Sequence, residues 1–113
     1  MANMHEAKKI FQPGDLVRVH DDYTSATILY FKSMFVALDE LLRNKLGRTP
    51  KDHTERFRML EKDLPLHYRK LNSLFSIYRD TYTKSVSKET CEEVRDEAEP
   101  IVEEADQGSK KGQ

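Results

Sequence analysis

Arg79 is the residue on which chemistry is easiest to build. Asn72, Ser76, Arg79 and Thr83 recur at steps of four, three and four, so one helix would stack them in a line. That line runs along the edge of an apolar face made by Leu71, Leu74, Phe75, Tyr78 and Tyr82. An arginine at such a margin lays its stem over apolar surface and offers a rigid fork of donors to a phosphate or carboxylate. Asn72, Ser76 and Thr83 would line this anion site, with Tyr82 beside it. The same four residues also make an ordinary solvated flank, which is the competing reading.

Other reactive side chains form weaker patterns. His20-Asp21-Asp22 places an imidazole beside two carboxylates, and His53 and His67 are further candidate ligands. No His pair at i, i+4 and no Glu-x-x-His repeat sets two ligands on one helical face, so capping and exposure account for them and no metal is expected. Gly-rich phosphate loops, nucleophile elbows and paired-carboxylate motifs are missing from the sequence, and no cofactor is expected. Cys91 falls on an apolar stripe near a helix start, where a small buried residue is favoured over a reactive thiolate. The basic run Arg43, Lys45, Arg48, Lys51, Arg56 and Arg58 could touch phosphates. Phe57 is the one aromatic within it, so a solubilising surface is the blander account.

These residues need helices to position them. Residues 3–11 suggest a short helical turn stopped by Pro13-Gly14-Asp15. Leu16 to His20 alternate like a strand that has no partner, so residues 1–20 read as a lead-in. Asp21 or Asp22 can cap a long helix running to Leu46, with Gly47 as its C-terminal stop. Its apolar residues, from Tyr23 and Ala26 through Phe31 and Phe35 to Leu42, cover roughly 200° and demand more than one packing neighbour. Asp52 or Thr54 begins a short second helix, and Pro65 suits the first turn of a third that reaches about Lys84. Ser87 caps a fourth helix with Cys91, Val94, Ala98, Ile101 and Ala105 on one stripe. Pro100 should kink that helix or restart it. Residues 107–113 read as a disordered tail. The expected fold is all-α, an up-and-down bundle of four to five helices over residues 21–106.

Composition sets the frame. At 113 residues one domain with a modest core is expected, and 37% apolar against 35% charged residues argues against full disorder. The net charge of −1 conceals two opposed blocks. Residues 43–72 carry nine Lys or Arg against four acids, whereas residues 89–106 carry nine acids against Arg95 alone. Such asymmetry favours self-association or a charged partner. The single cysteine rules out an internal disulfide, and neither a leader nor a membrane span is legible, which together suggest a cytoplasmic protein.

With the elements placed, the chain resembles the HEPN superfamily, in particular its small stand-alone archaeal and bacterial members. Asp22-Tyr23, Ala26, Phe31, Phe35, Ala37 and Leu41-Leu42 are similar to the opening, aromatic middle and Ala/Leu-rich end of that family's first long helix, although Lys32 and Ser33 depart from it. Thr49-Pro50-Lys51-Asp52-His53 resembles its Pro-Lys-x-His connection, and Leu74 to Arg79 resembles the helix that bears its characteristic arginine. The likeness spans most of residues 20–105. It implies a bundle that dimerises with its arginine helices facing across a cleft. It also implies either a metal-independent ribonuclease using Arg, four to six residues, then His, or a module that pairs with a minimal nucleotidyltransferase or binds nucleotides.

Here no histidine follows Arg79, and His67 lies twelve residues before it, about 18 Å along a helix. An enzyme lacking its general acid/base loses a factor of roughly 10²–10⁴. The sequence therefore favours a non-catalytic, homodimeric helical binding module for a nucleotide or RNA phosphate, with a minimal nucleotidyltransferase as a candidate partner. An RNA-cleaving toxin of a toxin–antitoxin pair, using Arg79 and Tyr82, is the alternative, and a purely structural interaction protein is the third.

Overall fold

Five helices follow one another in the computed structural model, which describes residues 4–111: α1 Glu6–Val19, α2 Tyr23–Leu46, α3 His53–Asp63, α4 Pro65–Asp80 and α5 Lys88–Lys111. No strand occurs among the described residues. The chain is an all-helical bundle.

The cap residues define most helix ends. The Asp22 carboxylate accepts from the Ser25 N–H at 3.1 Å to start α2, and Gly47, with φ at 81°, ends it in the left-handed conformation that glycine adopts without penalty. Asp52 accepts from the Glu55 N–H at 2.9 Å, and Ser87 Oγ from the Thr90 N–H at 3.1 Å. Pro65 occupies the first turn of α4, where its missing donor costs nothing.

The N-terminal reading needs correction. α1 runs unbroken through Pro13 and Gly14 and continues over the segment that alternates like a strand, so residues 6–19 belong to the bundle. Pro13 and Lys9 are both exposed, which leaves the carbonyl freed by the proline on the solvent side. Ala7, Phe11 and Gly14 are buried on the opposite side, with Phe11 against the Tyr30 ring at 5.0 Å between centroids. Tertiary packing outweighs the local breaker signal. Asn3, which the expected turn included, lies outside the described residues.

At the other end α5 extends to Lys111, so residues 107–111 are helical where a disordered tail was expected; Gly112 and Gln113 lie outside the described residues. Pro100 is exposed and sits inside this single helix without starting a new one. Between α4 and α5 the helix is shorter than its periodicity suggests, because α4 stops at Asp80 rather than Lys84. The Thr81 hydroxyl donates to the Tyr78 carbonyl at 2.6 Å and competes with the backbone ladder. Tyr82, Thr83 and Lys84 then continue as turns onto Arg79 and Asp80 carbonyls.

α2 is the central helix. It packs against α1 and α5 along its length and touches α3 and α4 as well, which is what its wide apolar arc requires. Tyr30, Phe31, Met34, Leu38 and Leu42 are fully buried there, and α5 contributes Cys91, Val94, Ala98, Ile101, Val102 and Ala105 to the same core. α3 and α4 form a hairpin joined at Leu64 that packs chiefly on itself. Two partly buried polar ties bind the outer helices. Arg95 on α5 reaches Asp15 on α1, and the N–H of His5 donates to Asp106 Oδ1 at 2.8 Å. No described helix is long and apolar enough to cross a membrane.

Candidate functional site

The hairpin determines what surrounds Arg79. Phe57 and His53 on α3 meet Phe75 and Tyr78 on α4 edge to face, with ring centroids 4.8 Å apart for Phe57–Phe75 and 5.4 Å for His53–Phe75. Phe35 from α2 closes the group at 5.1 Å from Tyr78. Arg79 lies on the outside of this aromatic cluster, its guanidinium carbon 5.9 Å from the Phe75 centroid, a cation–π contact. The Tyr82 ring stands edge-on to Tyr78, and the two hydroxyls are hydrogen-bonded at 2.9 Å. Tyr82 is 73% exposed.

Arg79 and Tyr82 are thus brought together through Phe75 and Tyr78. Asn72 and Ser76 occupy the same exposed side of α4. Thr83 does not join them, because the helix has ended and the residue sits in the following turn. The line of four is therefore a line of three. Arg79 is also exposed rather than set in a groove among the described residues. No described carboxylate pairs with it: neighbouring Asp80 faces Lys84, at 4.0 Å.

Beneath the cluster lies a polar chain that spacing alone does not reveal. Arg56, only 9% exposed, donates through Nε and Nη2 to the two Asp39 oxygens at 2.7 and 2.9 Å and lies 5.0 Å over the Phe35 ring. Its Nη1 is 2.6 Å from His53 Nδ1. A guanidinium can only donate, so Nδ1 accepts and the neutral imidazole carries its proton on Nε2. Burial, followed by the charge of Arg56, pushes the His53 pKa below its ordinary value, while Asp39 and Asp52 pull the other way. The hint was available in the His53–Arg56 spacing of three, but Arg56 reads as one more solvated cation until Asp39 is seen beside it.

Proton chemistry is poorly served here. The Tyr78 phenol is pushed up to about 12, first by its bond to Tyr82 and then by burial, so it is a reluctant acid. Cys91 is wholly buried and burial raises its pKa, which fits a packing role. His20 is exposed at the end of α1 and His67 Nε2 pairs with Glu104 at 2.8 Å. Among the described residues no three His, Cys, Asp or Glu side chains gather as a metal site would need. What the α4 surface offers is an unpaired guanidinium on an aromatic platform.

No family model matches the chain, and no curated protein or solved structure matches it significantly.

Proposed function

We propose that this protein is a non-catalytic helical binding module, HEPN-like, whose exposed α4 face receives a phosphate group of a nucleotide or RNA where two copies of the chain meet. One observation carries this reading: Arg79 stands in solvent without a carboxylate partner, stacked on Phe75 beside the Tyr78–Tyr82 pair. A guanidinium and exposed aromatic rings are the two elements that single-stranded nucleic acid uses, one for the backbone and one for base stacking. A partner copy laid over α4 would supply the wall that the single chain lacks, and two facing guanidinium groups would be held together by the anion between them.

Titration with nucleotides and short RNA, read at the amides of α4 and comparing wild type with Arg79→Ala, tests the proposal. A charge-assisted bond contributes about 1.5–3 kcal/mol, so the variant should bind about tenfold more weakly or worse. Equal affinity in the two proteins removes the proposal.

One contact favours the alternative, an RNA-cleaving toxin. His53 rests on the same Phe75 ring as Arg79, so an imidazole does reach the arginine helix from elsewhere in the chain. Against it, Nδ1 is already held by Arg56, and the Tyr78 phenol, pushed up to about 12, stays protonated near neutral pH.

A further inference from the structure

The side of α3 turned away from α4 carries a second concentration of positive charge, unrelated to Arg79. His53 and Phe57 face α4, and helical geometry places Glu55, Arg58, Met59 and Lys62 on the opposite side, toward the end of α2. There a cleft of about 320 Å³ opens between α2 and α3, lined by Leu46, Arg48, Arg58, Met59, Lys62 and Asp63. Leu46 and Met59 give it an apolar surface.

The cations on its walls differ in what engages them. Arg48 Nη1 is 3.2 Å from a Glu55 oxygen, and nearby Lys45 spends its ammonium on the Asp63 carbonyl at 2.7 Å. Arg58 and Lys62 are exposed and no described carboxylate pairs with either. They stand one turn apart on the same helix face, an arrangement of like charges that weakens a helix. Stability alone therefore does not account for it, and a bound anion would turn the repulsion into a clamp.

We propose that this cleft binds the phosphate of a ribonucleoside phosphate, carried either by a free nucleotide or by the 5′ end of an RNA strand. Arg58 and Lys62 take the phosphate oxygens, with the Arg48 guanidinium at the mouth. A phosphate monoester brings about two negative charges near neutral pH, which matches the two unpaired cations. Asp63, the one carboxylate on the wall, repels a second phosphate but accepts a hydrogen bond from a ribose hydroxyl. Leu46 and Met59 lie where the base can rest. The acidic outer side of α5 disfavours any polyanion lying across the whole molecule, so binding by one terminal phosphate is preferred to a long electrostatic track.

The test is amide chemical-shift mapping on the full chain with AMP, 2′,3′-dideoxy-AMP and inorganic phosphate, repeated on Arg58→Ala/Lys62→Ala and on Arg79→Ala. Both replaced positions in the double variant are exposed, and its circular dichroism is checked against wild type. The expected result is that AMP moves the amides of residues 46–48 and 58–63 and binds more tightly than its dideoxy analogue or phosphate alone. Read from those cleft amides, AMP should bind the double variant about tenfold more weakly or worse, while Arg79→Ala binds it there as wild type does. A short RNA with and without its 5′ phosphate distinguishes the sources: tighter binding than AMP that depends on the 5′ phosphate assigns the RNA end, and no such gain assigns the free nucleotide. The proposal is overturned by shifts confined to α4, by AMP affinity unchanged in the double variant, or by no shift at up to about 10 mM ligand.

Discussion

Arg95 on α5 grips Asp15 on α1 with two hydrogen bonds, Nε to Oδ1 at 2.7 Å and Nη2 to Oδ2 at 3.2 Å, across 80 residues of chain. Burial by itself would raise the Asp15 carboxyl, but bonds from Arg95 and the Tyr30 hydroxyl outweigh it and hold the group below its ordinary pKa. Tyr30, fully buried on α2, donates to the same carboxylate at 2.6 Å, so three helices meet at one side chain.

Removing Arg95 leaves Asp15 with the Tyr30 hydroxyl and the more distant Arg18, whose Nε lies 3.9 Å from Oδ1 and 3.2 Å from the Tyr30 oxygen. With side-chain exposures of 22% and 34% for Arg95 and Asp15, water compensates for part of the loss. Arg95→Ala should lower unfolding stability by about 1–2 kcal/mol, and Arg95→Lys should recover only part of this because the fork is gone. Urea unfolding provides the measurement; coincident midpoints for wild type and Arg95→Ala would show the clamp to be idle.

Two glycine replacements should act with opposite sign. A Cβ at Gly14 would stand 2.8 Å from Cε1 of the pinned Tyr30 ring, whereas at Gly108 its nearest neighbour is the Asn44 amide at 3.7 Å. Both positions are helical, so alanine gains up to about 1 kcal/mol of propensity in each. At Gly14 overpacking costs about 1–3 kcal/mol and wins. Thermal unfolding should therefore show Gly14→Ala below wild type and Gly108→Ala at or above it.

His53 makes stability depend on pH. Its pKa is lowered on folding, so between the folded value and the unfolded value near 6.5 the unfolded chain binds more protons. This contribution to stability is complete above about pH 7 and is lost as pH falls through 6.5 toward the folded value. Protonation also sets a donor against the Arg56 guanidinium. The difference in stability between wild type and His53→Gln should shrink as pH is lowered from 7.5 to about 5. A difference that stays constant over that range contradicts the assignment.

Much of the fold could be read from the residues themselves. Asp22, Gly47, Asp52, Pro65 and Ser87 mark ends because caps act within one turn, and the wide arc on α2 announces several neighbours. α1 escaped that logic, since the breaker Pro13-Gly14 is overruled by contacts with Tyr30, a residue of another helix. The end of α4 was hidden for the opposite reason, a local one, in which the Thr81 hydroxyl takes a carbonyl the helix needs. At the candidate site Arg79 and Tyr82 were legible from spacing. The aromatic cluster that supports them was not, because it depends on how α3 lies against α4, and Arg56 gave no sign of its burial against Asp39, 17 residues away.

The α4 face also bears on assembly. Size exclusion with light scattering at tens of micromolar should give twice the chain mass of 13.2 kDa, and Tyr82→Asp should shift the mass toward one copy. A wild-type mass of one chain would sink the dimer.

Purified protein mixed with a pool of RNA and EDTA should leave the RNA intact, given the raised phenol of Tyr78 and the engaged Nδ1 of His53. Cleavage abolished by both Arg79→Ala and Tyr82→Phe would instead establish the toxin reading.

The contact between His5 and Asp106 implies an order of events during synthesis. The α1–α2 and α3–α4 hairpins join neighbours in sequence and can form early, whereas the carboxylate that receives the His5 N–H and the core residues Val94, Ala98 and Val102 arrive with α5. Until α5 clears the ribosome, the side of α2 that it covers has no partner. The nascent chain must then carry that apolar strip uncovered, and this is the interval in which chaperone capture or aggregation competes with completion of the bundle.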